Sequence, residues 1–229
     1  MKTTARISLF LVASLLVIRS EAGDITGRIT LSGNPPPERK IVSLDAAIAV
    51  KHPDGLTTRH YQVGVGSGLR NVLVYIRGDF EGRTFEPPRA PVVLDHVDGL
   101  FQPFVLGVQV GQPLQLRCSD KTICSFLAVS KANQGFAISP IGDVVSRTFT
   151  KPEVAVRFKC DLHPWNYAYV GVFAHPFFTV TDQNGRYTIG AVPSGRYTLE
   201  IFHPKAGTAA REVVVATEKL VADFSLTPK

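Results

Sequence analysis

The stretch VAVRFKCDLHPWNYAYVGVF, residues 154–173, decides how this chain is read. Residues 154–160 and 169–173 are β-branched or aromatic runs bounded by Pro, Gly and Asp, which predicts two strands. The loop between them, Cys160-Asp161-Leu162-His163-Pro164-Trp165-Asn166, sets a thiol and an imidazole three residues apart. Such a pair can reach one metal ion, and sulfur with nitrogen suits copper or zinc. A single Cys-x-x-His is a weak signal, and a strand-end turn without a ligand explains it as readily. Its context carries the weight: a strand before, Pro164-Trp165 after, and a second strand closing a rigid loop at one end of a β-sandwich.

Working outward, the same rhythm of short strands and turns recurs. Residues 24–31, 71–77, 91–95, 102–110, 113–118, 125–129 and 144–149 are further predicted strands. Residues 43–50 lack Gly and Pro and contain three alanines, the best short-helix candidate, with one more turn near Glu81. From Phe177 the spacing tightens. Residues 177–181 and 186–190 flank Asn184-Gly185, a pair that favours a hairpin turn because both residues tolerate positive φ. Residues 196–202, 209–215 and 220–226 then complete a small antiparallel unit of about fifty residues, too few for an independent core. It is expected to pack on what precedes it. The predicted class is all-β, a Greek-key sandwich followed by a small β-domain.

Composition narrows the function. The chain has 229 residues, 45% hydrophobic and 19% charged, so it can bury a core. The net charge of +6 comes without a Lys/Arg run, which gives a nucleic-acid partner no support. No Gly-x-Ser-x-Gly, His-Glu-x-x-His or P-loop pattern occurs, and the chain is read as no enzyme. Lys2 and Arg6, the apolar residues 7–18 and the small-x-small Ser20-Glu21-Ala22 form a signal peptide over residues 1–22. Twelve apolar-rich residues are too few to span a bilayer. The mature chain would start at Gly23 as a periplasmic or extracellular protein, in a compartment where thiols pair.

The loop Cys160–Trp165, then Tyr169-Val170-Gly171-Val172-Phe173 and His175-Pro176-Phe177, resembles secreted cupredoxin-like proteins that carry a carboxypeptidase-regulatory-like tail. Gly68-Leu69-Arg70-Asn71, Pro91-Val92-Val93-Leu94-Asp95 and Gly107-Val108-Gln109-Val110-Gly111-Gln112-Pro113 extend the resemblance. Val180-Thr181-Asp182, Gly185-Arg186-Tyr187 and Val192-Pro193-Ser194-Gly195-Arg196-Tyr197 carry it through the tail. It implies a plastocyanin- or amicyanin-like sandwich over residues 23–176 and a prealbumin-like, carbohydrate-binding-like β-domain over 177–229.

Such a family holds copper with His, Cys, His and a weak axial Met. Carried over by position, Cys160 and His163 match the thiolate and second imidazole, Asn166 stands where Met belongs, and Cys124 stands where the first His belongs. The resemblance thus implies a degenerate type-1 copper site without stable blue copper, in a non-enzymatic binding or structural module. The alternative is an electron-transfer protein with an atypical Cys124/Cys160/His163 site holding copper or zinc. Three cysteines allow three pairings. The resemblance implies Cys124–Cys160, because it puts both side chains at one pocket. Two family cysteines align with Ile48 and Leu100, as if a disulfide had been lost and its place refilled with apolar side chains. Trp165 reads as a lid on the loop. With Tyr167 and Tyr169 it is also a candidate patch for a protein or carbohydrate partner. His52, His175 and His203, each before Pro, read as strand-end histidines. His60 and His96 read as isolated and exposed, and Asp120 and Asp161 as turn formers.

Overall fold

The computed structural model describes residues 22–42, 44–78, 80, 82–120, 123–140 and 143–229. The expected signal segment before Ala22 and the turn at Glu81 lie outside these residues. Among them no helix is long and apolar enough to cross a membrane.

The chain is all-β, its one α-helix being Ala46–Lys51 among the described residues. Four main sheets stack in layers with three apolar cores between them. The sheet that carries the loop residues runs Phe136–Ile138, Phe126–Val129, Glu153–Lys159, Tyr167–Phe173 and Val105–Gln109, the last pair parallel. Facing it is a sheet of Val145–Arg147, Leu114–Cys118, Val92–Val97 and Leu100–Gln102, in which Val92–Val97 and Leu114–Cys118 are parallel. Side chains alternate across each strand, so Leu114 and Leu116 point inward to meet Phe126, Phe158, Val170 and Val172.

Beyond this sandwich lies a second. One of its sheets joins Phe178–Val180, Leu73–Ile76, Gly195–His203 and Gly207–Val215. The other centres on Ala22–Leu31, with Arg186–Pro193 antiparallel on one side and Leu220–Val221 and Phe224–Leu226 parallel on the other. Strands from both ends of the sequence therefore share these two sheets, and residues 177–226 do not close a sheet by themselves. Ile25, Ile29, Val74, Ile76, Leu199 and Ile201 fill the space between them.

A third core joins the two sandwiches, and it explains two runs with no polar face. All four residues of Leu73–Ile76 are buried, because Val74 and Ile76 face one core while Leu73 and Tyr75 face the next. Tyr167 and Phe173 likewise face Leu73 and Tyr75, while Ala168, Val170 and Val172 point into the loop-bearing sandwich. Close approach depends on the paired glycines Gly107 and Gly171. A Cβ on Gly107 would lie 2.5 Å from the Phe178 ring, and one on Gly171 would lie 2.7 Å from that of Phe173. The expected partner patch is accordingly corrected. Tyr167 is buried and Tyr169 half-buried against the neighbouring sandwich, so neither offers a free face.

Ile48 and Leu100, the pair expected to refill a lost disulfide, do pack in one small cluster with Leu56, and Trp165 leans on it.

Candidate metal centre

The loop after Glu153–Lys159 is closed by its own backbone: Asn166 N–H donates to His163 O at 2.8 Å, and Cys160 N–H donates to Asn166 O at 3.1 Å. That turn folds His163 back onto Cys160, and Cys160 Sγ lies 3.4 Å from His163 Nδ1. Both residues are buried, 3% and 4% exposed. On the far side of the imidazole, His163 Nε2 donates to Asp45 Oδ2 at 2.9 Å, just before the helix Ala46–Lys51. A carboxylate there accepts only, so the ring proton sits on Nε2 and the Nδ1 lone pair faces the sulfur.

The third group comes from a residue expected to be exposed. His96 is 0% exposed, and the donor atoms of His96, Cys160 and His163 all lie within 4.8 Å of one another. Two local features put it there. Leu94 faces the core, and the strand period of two turns His96 to the same side. The turn at Asp98-Gly99, both at positive φ, then carries the strand on to residue 97 and returns it as Leu100–Gln102. A strand ending at residue 95 had hidden this. The signal that could have found it is the Asp-Gly pair three residues past a β-branched run.

His96 is oriented as His163 is, by a carboxylate on the outer nitrogen. Asp120 Oδ2 lies 2.9 Å from His96 Nδ1, and Asp120 also accepts the N–H groups of Asp98 and Gly99 and the Lys51 ammonium. Burial alone would raise the Asp120 pKa, but the Gly99 N–H, the Lys51 ammonium and the other donors hold it below the usual range. Asp120 is thus a positioning residue rather than the turn former expected. Burial pushes His96 below the ordinary imidazole range against the pull of Asp120. The ring is neutral, with its proton on Nδ1. Nε2 is left buried, with a lone pair and no hydrogen-bond partner among the described residues.

The remaining expectations divide. Cys124 neither bridges to Cys160 nor is available as a thiolate, because it is disulfide-bonded to Cys118. The two are six residues apart with Cα atoms 6.0 Å apart, within disulfide reach. Cys160 keeps its thiol and turns it to His163. The disulfide and the Cys160 loop nonetheless sit at the same end of the sandwich, since His96 is within 4.8 Å of both sulfur sets. Asn166 is buried, and its oxygen accepts the Phe101 N–H at 2.6 Å. The other histidines before Pro are satisfied in place. His175 Nε2 donates to Ile76 O at 3.0 Å, and His203 Nδ1 accepts the Ala206 N–H at 3.0 Å.

Cys160, His163 and Asp45 also have the connectivity of a nucleophile, base and orienting acid. Both the thiol and the imidazole are buried, and that arrangement gives the His96 lone pair no role. Two imidazoles, each held by a carboxylate on its outer nitrogen, and one thiol could serve as the donor set and supporting shell of a metal centre.

No family model matches this chain, and no curated protein sequence does. Among solved structures it is similar to a copper-containing nitrite reductase from Thermus scotoductus SA-01, with 21% identity and a TM-score of 0.35. That match covers 42% of this chain and only 25% of the reductase. A methionine-to-glutamine variant of amicyanin with Cu(I) matches at 20% identity and a TM-score of 0.33, over 38% of this chain and 86% of its own. A purple cupredoxin from Nitrosopumilus maritimus matches at 18% and 0.29, over 36% and 98%.

Proposed function

We propose that this protein is a copper-binding module of the electron-transfer type, with the metal held by His96, Cys160 and His163. One observation carries the reading: a donor nitrogen of buried His96 lies within 4.8 Å of the donor atoms of Cys160 and His163, and the Nε2 of His96 has no hydrogen-bond partner among the described residues. An unsatisfied buried polar atom costs roughly 1–3 kcal/mol, and a metal would satisfy it. Three ligands around one ion, with bonds of about 2.0–2.3 Å, stand about 3.6–4 Å apart, so these donors need little adjustment. Copper so bound supplies one-electron transfer.

The chain's own contribution is to hold the donors still and dry. Asp120 and Asp45 keep each imidazole in the tautomer whose lone pair faces inward. Phe101 packs edge-on against His96 at 5.4 Å, and Trp165 lies 5.1 Å from His163, so rings cover both imidazoles. Cys160 must lose its proton on binding, which makes affinity rise with pH. Asn166 serves the loop and the Phe101 backbone rather than the metal. This replaces the reading of a pocket reduced to Cys160 and His163, and the Cys124/Cys160/His163 alternative falls with the disulfide.

The test is to add Cu(II) to the purified chain with its disulfide intact. One equivalent should bind with an intense visible thiolate band that is absent in Cys160→Ser. A wild-type chain that shows neither overturns the proposal.

On the same reading the protein acts outside the cytoplasm, supported by the pattern of residues 1–22, and its mature N-terminus is Gly23. Residues 177–229 are read as the regulatory-like β-module of the resemblance, here completed by Ala22–Leu31 and Leu73–Ile76 into a sandwich that covers one face of the metal-bearing one. The tail motifs at 180–197 support this, and so does the core between the two sandwiches.

A further inference from the structure

We infer that Cys118 and Cys124, once reduced, form with His96 a second soft-metal site, and that the two sites compete for the same imidazole nitrogen. The donor atoms of His96, Cys118 and Cys124 lie within 4.8 Å of one another, as do those of His96, Cys160 and His163. His96 belongs to both sets, but it has one nitrogen to give. Nδ1 is held by Asp120, and only Nε2 lacks a partner. The redox state of the disulfide therefore selects the thiolates with which His96 can share an ion.

The chemistry balances as two steps. An external dithiol transfers two electrons and two protons to the Cys118–Cys124 bond, which breaks to two thiols while the dithiol closes to its own disulfide. Cu(I) then displaces both thiol protons and is held by two sulfurs and the His96 nitrogen, with no change in its oxidation state. Two thiolates and an imidazole, with His96 and Cys124 buried and Cys118 half-buried, suit Cu(I), which soft ligands select. Sulfurs released from the disulfide need to stand about 4 Å apart to flank one ion. A Cα separation of 6.0 Å allows that without moving the strands. Cys124 is 1% exposed, so an ion there would be shielded as at the first site.

Neither His163 nor Cys160 enters this site, so it can be tested in a chain that lacks the first. Cys160→Ser is prepared with the disulfide intact, and separately after reduction by dithiothreitol and anaerobic removal of the reagent. Each form is challenged with Cu(I) held by a coloured chelator. The reduced form should withdraw one equivalent and the oxidised form none. Adding His96→Leu to the reduced chain should weaken binding at least tenfold. Cys160→Ala, with far-UV circular dichroism on every sample, separates a loss of ligands from a loss of fold. Equal uptake by the two redox forms, or affinity unchanged by His96→Leu, overturns the inference. Failure of the first site would show instead in the oxidised wild-type chain, as a missing thiolate band.

Discussion

The two sandwiches treat buried histidine in opposite ways. In the one built on Ala22–Leu31, His203 is buried against Tyr61, with ring centroids 5.6 Å apart, and its Nδ1 accepts backbone N–H groups of Lys205 and Ala206. His175 in the same sandwich bonds Ile76 O and the Phe177 N–H. Backbone groups answer both rings, and they serve as turn staples. In the other sandwich, His96 and His163 are answered on the outer nitrogen by carboxylates; the inner nitrogen of His163 faces the Cys160 thiol, and that of His96 has no hydrogen-bond partner among the described residues. Burial alone does not distinguish a structural histidine from a ligand. The difference lies in what answers the second nitrogen.

That contrast is broken or sharpened most strongly at His96. His96→Leu should abolish the copper–thiolate band and copper retention on desalting, while His203→Leu should leave both intact. Equal effects of the two substitutions would erase the distinction.

Next comes the pH response of His203, whose pKa burial lowers to about 4. A depressed folded-state pKa means the unfolded chain takes up the proton first. Stability should therefore fall as pH drops from about 6.5 to about 4, and level off below that. The shift corresponds to about 3 kcal/mol across that window. Urea midpoints should show the slope in the wild type and lose it in His203→Leu. That variant should also cost about 1–3 kcal/mol at neutral pH, because two buried N–H groups lose their acceptor.

A smaller effect is expected from the positioning carboxylates. Asp120→Ala should lower copper affinity by about 10–100-fold while leaving the thiolate band present but shifted, since the ligands remain. A merely structural role would lower stability without moving the band. Asp45→Ala should do less, below about tenfold, because the Asp45 side chain is 50% exposed against 5% for Asp120, and water can take its place. Chelator competition on the two variants measures the ranking, and a reversed order would sink it.

The sequence was most legible where local chemistry suffices. Alternation and bounding turn residues located nearly every long strand and the alanine-rich helix, because these are local signals. The hairpin expected at Asn184-Gly185 is instead a turn between two sheets, Phe178–Val180 pairing with Leu73–Ile76 and Arg186–Pro193 with Ala22–Leu31. Cys160 and His163 were legible for the same reason: three residues on one loop cannot be far apart. Asp120 and Asp45 were not, because a carboxylate that bonds its own turn and one that orients a distant imidazole look alike in sequence.

What the sequence by itself determined, then, is an all-β chain with one thiol–imidazole loop at a strand end. Tertiary structure alone decided the rest. It paired Cys118 with Cys124, set Tyr167 and Tyr169 between two sandwiches, and drew Ala22–Leu31 into sheets with residues 178–226. It also brought His96 to Cys160, 64 positions further along the chain. The disulfide joins residues only six apart, and the other three share one physical reason. Each depends on which faces of non-adjacent strands meet across a core, and that register is settled by packing of the whole, not by any segment's own preference.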